Sequence, residues 1–455
     1  MQIDRRNMVN NSNLRKLLIC SRAHVPHGGA DRIIADLCRE LPDRGWQVTL
    51  GLTRGERFND VDQYRDVLGS DLPIVEIDGR LGTRRARLKS LGRLIRQERP
   101  DVVLSMRVFD AYEAVAREKH RSGCGPHLAV GVRSFEAGYL CDLILYRELI
   151  DLCVTSGELI ATAAVDECGL DRSRVVSIGG GIHPPVVEVT PRTPRRPFVL
   201  LYAGRLEFEQ KRVGDLVLLT RELRRRGLPF RLHIAGVGPA EHSLRQQLAD
   251  EQADGRVVFH GWLSRERLYR ELYPQADCFV HFAAWEGITI APREAMVHGV
   301  VPVISRFRGL EVEGQFVDGE TALTFPVGDV EAAADQISRL LEVQGLLQRL
   351  SRNAMRSQQG KYLFEGSMDA WARALEQTAR RPPLAGVIPR VDQQLDGRLI
   401  RWGVTVGLQE GFRQQTGRKV RHRSPGSEWP TCSGRVTEVA RLRFDRFADS
   451  LEGER

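Results

Sequence analysis

Two carboxylates flank an apolar loop in the run WEGITIAPREAM (285–296): Glu286 and Glu294, with Arg293 as the one other ionisable side chain. A carboxylate accepts hydrogen bonds from hydroxyls, so a spaced pair can hold two hydroxyl-bearing parts of one ligand. Proline is favoured at the first helical position, where its missing N–H costs nothing. Pro292 therefore predicts a helix with Ala291 as its N-cap and Glu294 in its first turn. Loop 287–291 then presents free backbone N–H groups beside a positive helix end, which suits a phosphate. Glu286 ends the preceding strand and faces the same mouth. The pair reads as holding a sugar hydroxyl at one end and a ribose at the other, with a diphosphate between. The plainer reading makes Glu294 a first-turn carboxylate on the helix dipole and Glu286 a solvated loop residue.

The stretch YAGRLEFEQKRVGDL (202–216) places Arg205 just past a strand and Lys211 just before a helix. Two cations at such a mouth would neutralise a diphosphate and stabilise it as a leaving group. In PHGGADRI (26–33), Gly28 and Gly29 stand between a strand and a helix, where glycine lets backbone approach a phosphate or sugar, or simply makes a tight turn. Gly236 and Gly238 in GVGPAE could flank a nucleotide base or merely turn the chain. Metal signals are poor. Asp60 and Asp62 have Asp-x-Asp spacing but lie in a polar stretch, and His24 and His27 have no third ligand nearby. The eight cysteines form no C-x-x-C pair, so buried reduced thiols are expected.

These residues need elements to hold them. Apolar runs at 16–20, 46–52, 101–106, 127–132, 149–156 and 174–181 read as strands between helical stretches, which predicts a parallel sheet covered on both faces. Five prolines in 182–197 predict an extended linker. Strand candidates resume at 198–203, 230–236, 256–261, 277–282 and 300–305. A last helix is expected at 364–381. Residues 383–455 are rich in Pro, Gly, Ser and Gln, and are expected to be of low order. The expected boundaries are an N-terminal domain 1–183, a linker 184–197, a nucleotide domain 198–363, a helix 364–382 and the tail.

Composition narrows the classes. Hydrophobic residues are 42% and charged residues 28%, ordinary for a soluble globular chain. No apolar run reaches membrane-spanning length and no signal peptide is read, so a cytoplasmic protein is expected. The net charge of +8 favours anionic partners without choosing among them. The helical stretch 81–99 is basic on one side and apolar on the other, so it reads either as a sheet-covering helix or as a contact with an anionic membrane surface.

Taken together, PHGGADRIIADLCREL, YAGRLEFEQKRVGDL, LHIAGVGP, VVFHGWL and WEGITIAPREAM resemble the retaining family-4 glycosyltransferases of GT-B fold, over residues 16–380. The resemblance implies an α/β architecture of two facing Rossmann-like domains with a cleft between them. It implies that Arg205 and Lys211 bind the donor diphosphate, Glu286 the donor sugar and Glu294 the ribose. Gly287, Ile288 and Thr289 would contact phosphate or sugar, and Gly29 would close the phosphate from the N-terminal domain. The final helix would return to that domain, and transfer would proceed on the front face without a metal or cofactor. Ile288 departs from the usual aromatic or small residue. Arg133 and Ser134 stand where many relatives place a histidine; VGVRSFEAG instead resembles the Glu-Arg-Asn version of relatives acting on polyprenyl-linked sugars, which makes Arg133 an acceptor candidate.

The expected function is hexosyl transfer from a nucleoside-diphosphate sugar, with UDP favoured over GDP or ADP, to a glycan or lipid-linked glycan of a cell-envelope pathway. Two rivals remain open. One is an epimerase or phosphorylase on the same fold. The other is a basic nucleic-acid-binding protein, disfavoured because aromatics are 7% and no basic-aromatic interleave appears.

Overall fold

The computed structural model describes residues 14–24, 29–286, 289–386, 388–389, 399, 404–416 and 428–453. Contacts divide the chain into two units. The first comprises 1–156, 160–178 and 368–441, and the second 157–159, 179–367 and 442–455.

The first unit is built on seven strands: β1 Arg15–Arg22, β2 Trp46–Arg54, β3 Ile74–Asp78, β4 Val102–Met106, β5 His127–Val132, β6 Leu152–Thr155 and β7 Val175–Ser177. Their order is β3-β2-β1-β4-β5-β6-β7, and every pairing is parallel. The central strands β4, β5 and β6 are buried along their whole length. Continuous apolar runs are what a sheet covered on both faces demands.

The second unit repeats the plan with six strands: β8 Phe198–Ala203, β9 Phe230–Ala235, β10 Val257–Gly261, β11 Cys278–His281, β12 Val301–Ser305 and β13 Leu323–Phe325. The order β10-β9-β8-β11-β12-β13 is again wholly parallel. Chain order reverses beside β1 in one sheet and beside β8 in the other. Such switch points are where open α/β sheets bind ligands, at the carboxyl ends of the strands.

Several expectations change. Strands β3 and β13 escape the reading of hydrophobic runs. β3 is an edge strand with only Ile77 buried, and β13 is three residues long. The polar stretch around Asp60 is a helix, Val61–Leu68, whose N-cap Asp60 accepts from the backbone N–H of Asp62 and Gln63. Asp62 pairs with Arg54 at 2.9 Å. Both carboxylates of the Asp-x-Asp therefore have structural partners, and among the described residues no metal-holding cluster of His, Cys, Asp and Glu occurs.

The proline-rich stretch 184–197 lacks regular structure and is pinned by its arginines. Arg192 donates to the carbonyls of Tyr273, Pro274 and His298, and Arg195 pairs with Asp277 at 2.8 Å. The basic helix Arg84–Glu98 turns part of its charge inward. Arg87 and Asp110 form a fully buried pair at 2.5 Å, and Arg84 and Arg96 pair with Glu113 and Glu118. Arg85, Lys89 and Arg93 stay exposed. Among the described residues no helix is long and apolar enough to cross a membrane. None of the eight cysteines is joined in a disulfide.

Within the tail, the described residues 404–416 and 428–453 carry structure that composition does not suggest. Helices span Val406–Thr416 and Glu438–Gly453, and Trp429 is fully buried. Composition alone points to low order. A few residues, Glu428, Trp429 and Ser433, find enough partners to fix the segment between them.

Candidate functional site

The candidate site lies at the β8/β11 switch point of the second unit. β8 ends at Ala203, and the chain continues as Gly204-Arg205 into a loop that reaches Lys211. β11 ends at His281, and the chain continues to Glu286. The two loops are stitched together: Ala284 donates its N–H to the Gln210 carbonyl at 2.9 Å, and the Gln210 side chain donates to the Trp285 carbonyl at 3.1 Å.

That stitching brings Lys211 Nζ against Glu286 Oε1 in a close ion pair. His281 Nε2 lies 3.2 Å from the same oxygen. Burial pushes the Glu286 carboxyl up, but Lys211 and His281 outweigh it and hold the pKa down at about 2. His281 itself is lowered by burial, despite its hydrogen bond to Glu286. At neutral pH the site therefore holds a charged carboxylate and a neutral imidazole, which donates through its Nε2–H. His281 was not singled out from the sequence. The signal was there, since it is the one polar side chain near the end of the run DCFVHF, five residues before Glu286.

Arg205 is placed differently. Its side chain is 60% exposed, and it donates to Gln210 at 2.9 Å. Behind it two glycines allow close backbone packing. A Cβ on Gly236, whose φ is +140°, would sit 1.8 Å from the Gly204 carbonyl oxygen, and one on Gly238 would sit 2.2 Å from that of Leu206. These glycines bring the loop after β9 onto the Arg205 loop.

The helix carrying Glu294 begins earlier than expected. It spans Ile290–Val297 with Thr289 as N-cap, and Thr289 makes no side-chain capping bond. Pro292 is its third residue, still among the four whose N–H has no intrahelical partner. Glu294 is then past the first turn, and the helix dipole does not account for it. Buried instead, its Oε1 and Oε2 lie 3.3 and 3.0 Å from the hydroxyls of Tyr269 and Tyr273. His298 stacks on Tyr273 and donates from Nδ1 to the Glu294 carbonyl at 2.7 Å. Arg293 is also buried and donates to Gln358, Gly180 and Tyr362, so its role is to hold the helix.

Gly287 and Ile288 lie outside the described residues, as do Gly28 and His27. In the first unit, Gly29 opens the helix Gly29–Glu40. Arg133, half-buried after β5, donates to the Ile178 carbonyl at 3.0 Å. Burial lowers its pKa to about 10, which leaves it charged at neutral pH.

Comparison with known proteins accords with this layout. Residues 27–186 match the model of Glycosyltransferase Family 4, and residues 189–357 that of Glycosyl transferases group 1. The chain belongs to these glycosyltransferases. It is 29% identical to a GDP-mannose:cellobiosyl-diphosphopolyprenol alpha-mannosyltransferase of Xanthomonas oryzae, over 43% of this chain and 50% of that one. It is 26% identical to a lipopolysaccharide 1,6-galactosyltransferase of Salmonella typhimurium, over 46% and 57%. The chain spans about half the length of the curated relatives it matches. Among solved structures, an Anabaena protein in complex with UDP and glucose superposes with a TM-score of 0.62 at 16% identity, over 80% of this chain and 100% of that one. At that identity the likeness speaks for the fold, which is the GT-B fold of these glycosyltransferases.

Proposed function

We propose that this glycosyltransferase moves a hexosyl unit, with retention of configuration, from a nucleoside-diphosphate sugar to a glycan or lipid-linked glycan acceptor. The observation that carries the reading is the Lys211–Glu286–His281 cluster at the β8/β11 switch point. In this reading Lys211 and Arg205 take the diphosphate and stabilise it as it leaves, an electrostatic role that is strongest where water is excluded. Lys211 exchanges its contact with Glu286 for one with phosphate. Glu286 then accepts a hydroxyl of the donor sugar, and Glu294, already bonded to tyrosine hydroxyls, accepts from the ribose. The uncapped start of the helix Ile290–Val297 offers N–H groups, with Thr289 and its two neighbours, to phosphate. Gly29 and Arg133 belong to the donor and acceptor roles respectively. No step requires a metal.

The base is the open part. The names of relatives include a GDP-mannose enzyme, while a structural neighbour holds UDP. Both this and the enzyme reading are tested by the thermal shift of the purified chain with UDP, GDP and ADP, beside Glu294→Ala. A ligand at 100 times its Kd stabilises by about 2.7 kcal/mol. A shift by one nucleotide that Glu294→Ala abolishes supports the donor class and the ribose contact together. No shift with any of the three counts against the reading. Exposed Arg85, Lys89 and Arg93 are the side chains through which the chain would meet an anionic membrane carrying a lipid-linked acceptor. Flotation with and without anionic lipid checks that contact.

A further inference from the structure

The C-terminal extension lies outside both matched family segments. Its residues 428–433 run along the carboxyl edge of the first unit's own sheet. Trp429 donates from its indole N–H to the Arg54 carbonyl at the end of β2, at 3.1 Å, and its ring fills the space over Gly79 beyond β3. The Pro430 carbonyl accepts from Phe109 N–H beyond β4. Ser433 N–H reaches the Asp142 carboxylate, on the helix Ala137–Tyr146 after β5, at 3.0 Å. The segment thus crosses the β1/β4 switch point, where this topology binds ligands.

Its leading residue is held as a bound anion would be. Glu428 Oε1 accepts the backbone N–H of Glu56 at 2.5 Å and of Arg57 at 2.8 Å. Oε2 accepts the N–H of Phe58 at 3.1 Å and of Asn59 at 3.2 Å, and the Asn59 side-chain amide at 2.8 Å. Five donors converge on one carboxylate that is 2% exposed. Gly55 leaves the room: a Cβ there would sit 2.0 Å from the Glu428 carboxyl. Successive N–H groups around a concavity form an anion nest, the geometry that cradles phosphate elsewhere. At the end of β1, Arg22 is 8% exposed, and among the described residues its Nε and Nη2 have no hydrogen-bond partner. The residue after Arg22 joins the nest loop, since the Ala23 carbonyl accepts the Asp60 N–H at 2.9 Å, and a buried guanidinium with unmet donors there points to an anion larger than one carboxylate.

We propose that the 55–59 nest, with Arg22 beside it, is a binding site for a phosphoryl group of the acceptor, and that Glu428 fills it as an internal competing ligand. Assigning this edge to the acceptor rests on the transferase reading above; the anion site itself does not. Displacing the segment would free the nest and the floor under Trp429 together. Glu428 is thereby a stand-in for phosphate, and the extension sets how tightly an acceptor must bind to enter.

The test is hydrogen exchange on the full chain, with inorganic pyrophosphate as probe, in the wild type, Glu428→Ala and Glu428→Gln. Exchange read by segment separates this nest from the Lys211 site, so failure of either is seen apart. In the wild type, pyrophosphate is expected to speed exchange in 428–436 while 55–59 stays protected. In both variants it should protect 55–59 at concentrations at least tenfold lower. Glucose 1-phosphate and phosphatidic acid vesicles, run in parallel, tell a soluble from a lipid-borne phosphoryl group. Protection of 55–59 by none of the three probes in either variant overturns the proposal and leaves Glu428 a structural staple. Glu428→Gln keeps an oxygen acceptor in the nest, so a folding defect confined to the alanine variant does not decide the matter.

Discussion

Glu286 and Glu428 are both carboxylates at the carboxyl edge of a parallel sheet, yet they are held by opposite means. Glu286 faces the Lys211 side chain and a histidine across the β8/β11 switch point. Glu428 is held by five N–H donors of the loop after β2, four of them backbone. A lysine can swing to a new anion, so in the proposed function the first arrangement trades its carboxylate for a diphosphate. A backbone nest cannot move, so its occupant must leave bodily. On the proposed readings, the first site suits turnover and the second occupancy.

The largest effect expected to sharpen this contrast comes from Trp429→Ala. The indole is fully buried, and truncating such a side chain costs about 3–5 kcal/mol. If the extension opens as a local unit, the loss falls on that opening. Exchange across 428–433 should then accelerate by two orders of magnitude or more, with the sheets unaffected. Equal acceleration in β4 and β5 would mean that the segment is inseparable from the core.

Next is Glu286→Ala, and with it Lys211→Ala. Removing a preorganised charge from the reacting mouth costs roughly 10²–10³-fold in kcat. Transfer assays on the two variants should show losses of that order. Unchanged transfer in both would break the assignment of the mouth.

The third is a pH dependence. Glu286 sits at about 2 when folded and near the ordinary 4.5 when unfolded. A depressed carboxylate contributes stability that is complete above 4.5 and is lost as pH falls toward 2, at most on the order of 3 kcal/mol. His281, lowered by burial, adds a loss of the same sign, beginning as pH falls below 6.5. Urea midpoints from pH 7 to 3.5 should fall more steeply in the wild type than in Glu286→Gln. Parallel slopes would show that Lys211 does not hold the carboxylate as its geometry indicates.

The smallest is Arg205→Ala. With the side chain 60% exposed, stability should move by less than about 0.5 kcal/mol. Nucleotide affinity should nonetheless fall by roughly ten- to hundredfold, since a charge-assisted bond to phosphate contributes about 1.5–3 kcal/mol. A stability loss as large as the binding loss would move Arg205 from the ligand to the fold.

The amino-acid sequence by itself determined the α/β class and eleven of the thirteen described strands, and it singled out Arg205, Lys211, Glu286 and Glu294 as candidates. Buried parallel strands are continuous apolar runs, and polar residues at their carboxyl ends stand out against them. Local pattern could not reveal β3, half-exposed at an edge, or place the start of the helix Ile290–Val297, because proline is tolerated at more than one position of a first turn. Nor could it link Glu294 to Tyr269 and Tyr273, whose spacing of four shows a helical face but not what it meets. The nest was the least legible part. Its donors are backbone N–H groups, which every residue but proline carries, and their acceptor lies 369 to 372 residues further along the chain. Only the tertiary structure decides such a pairing, because the backbone groups that make it leave no mark on side-chain type.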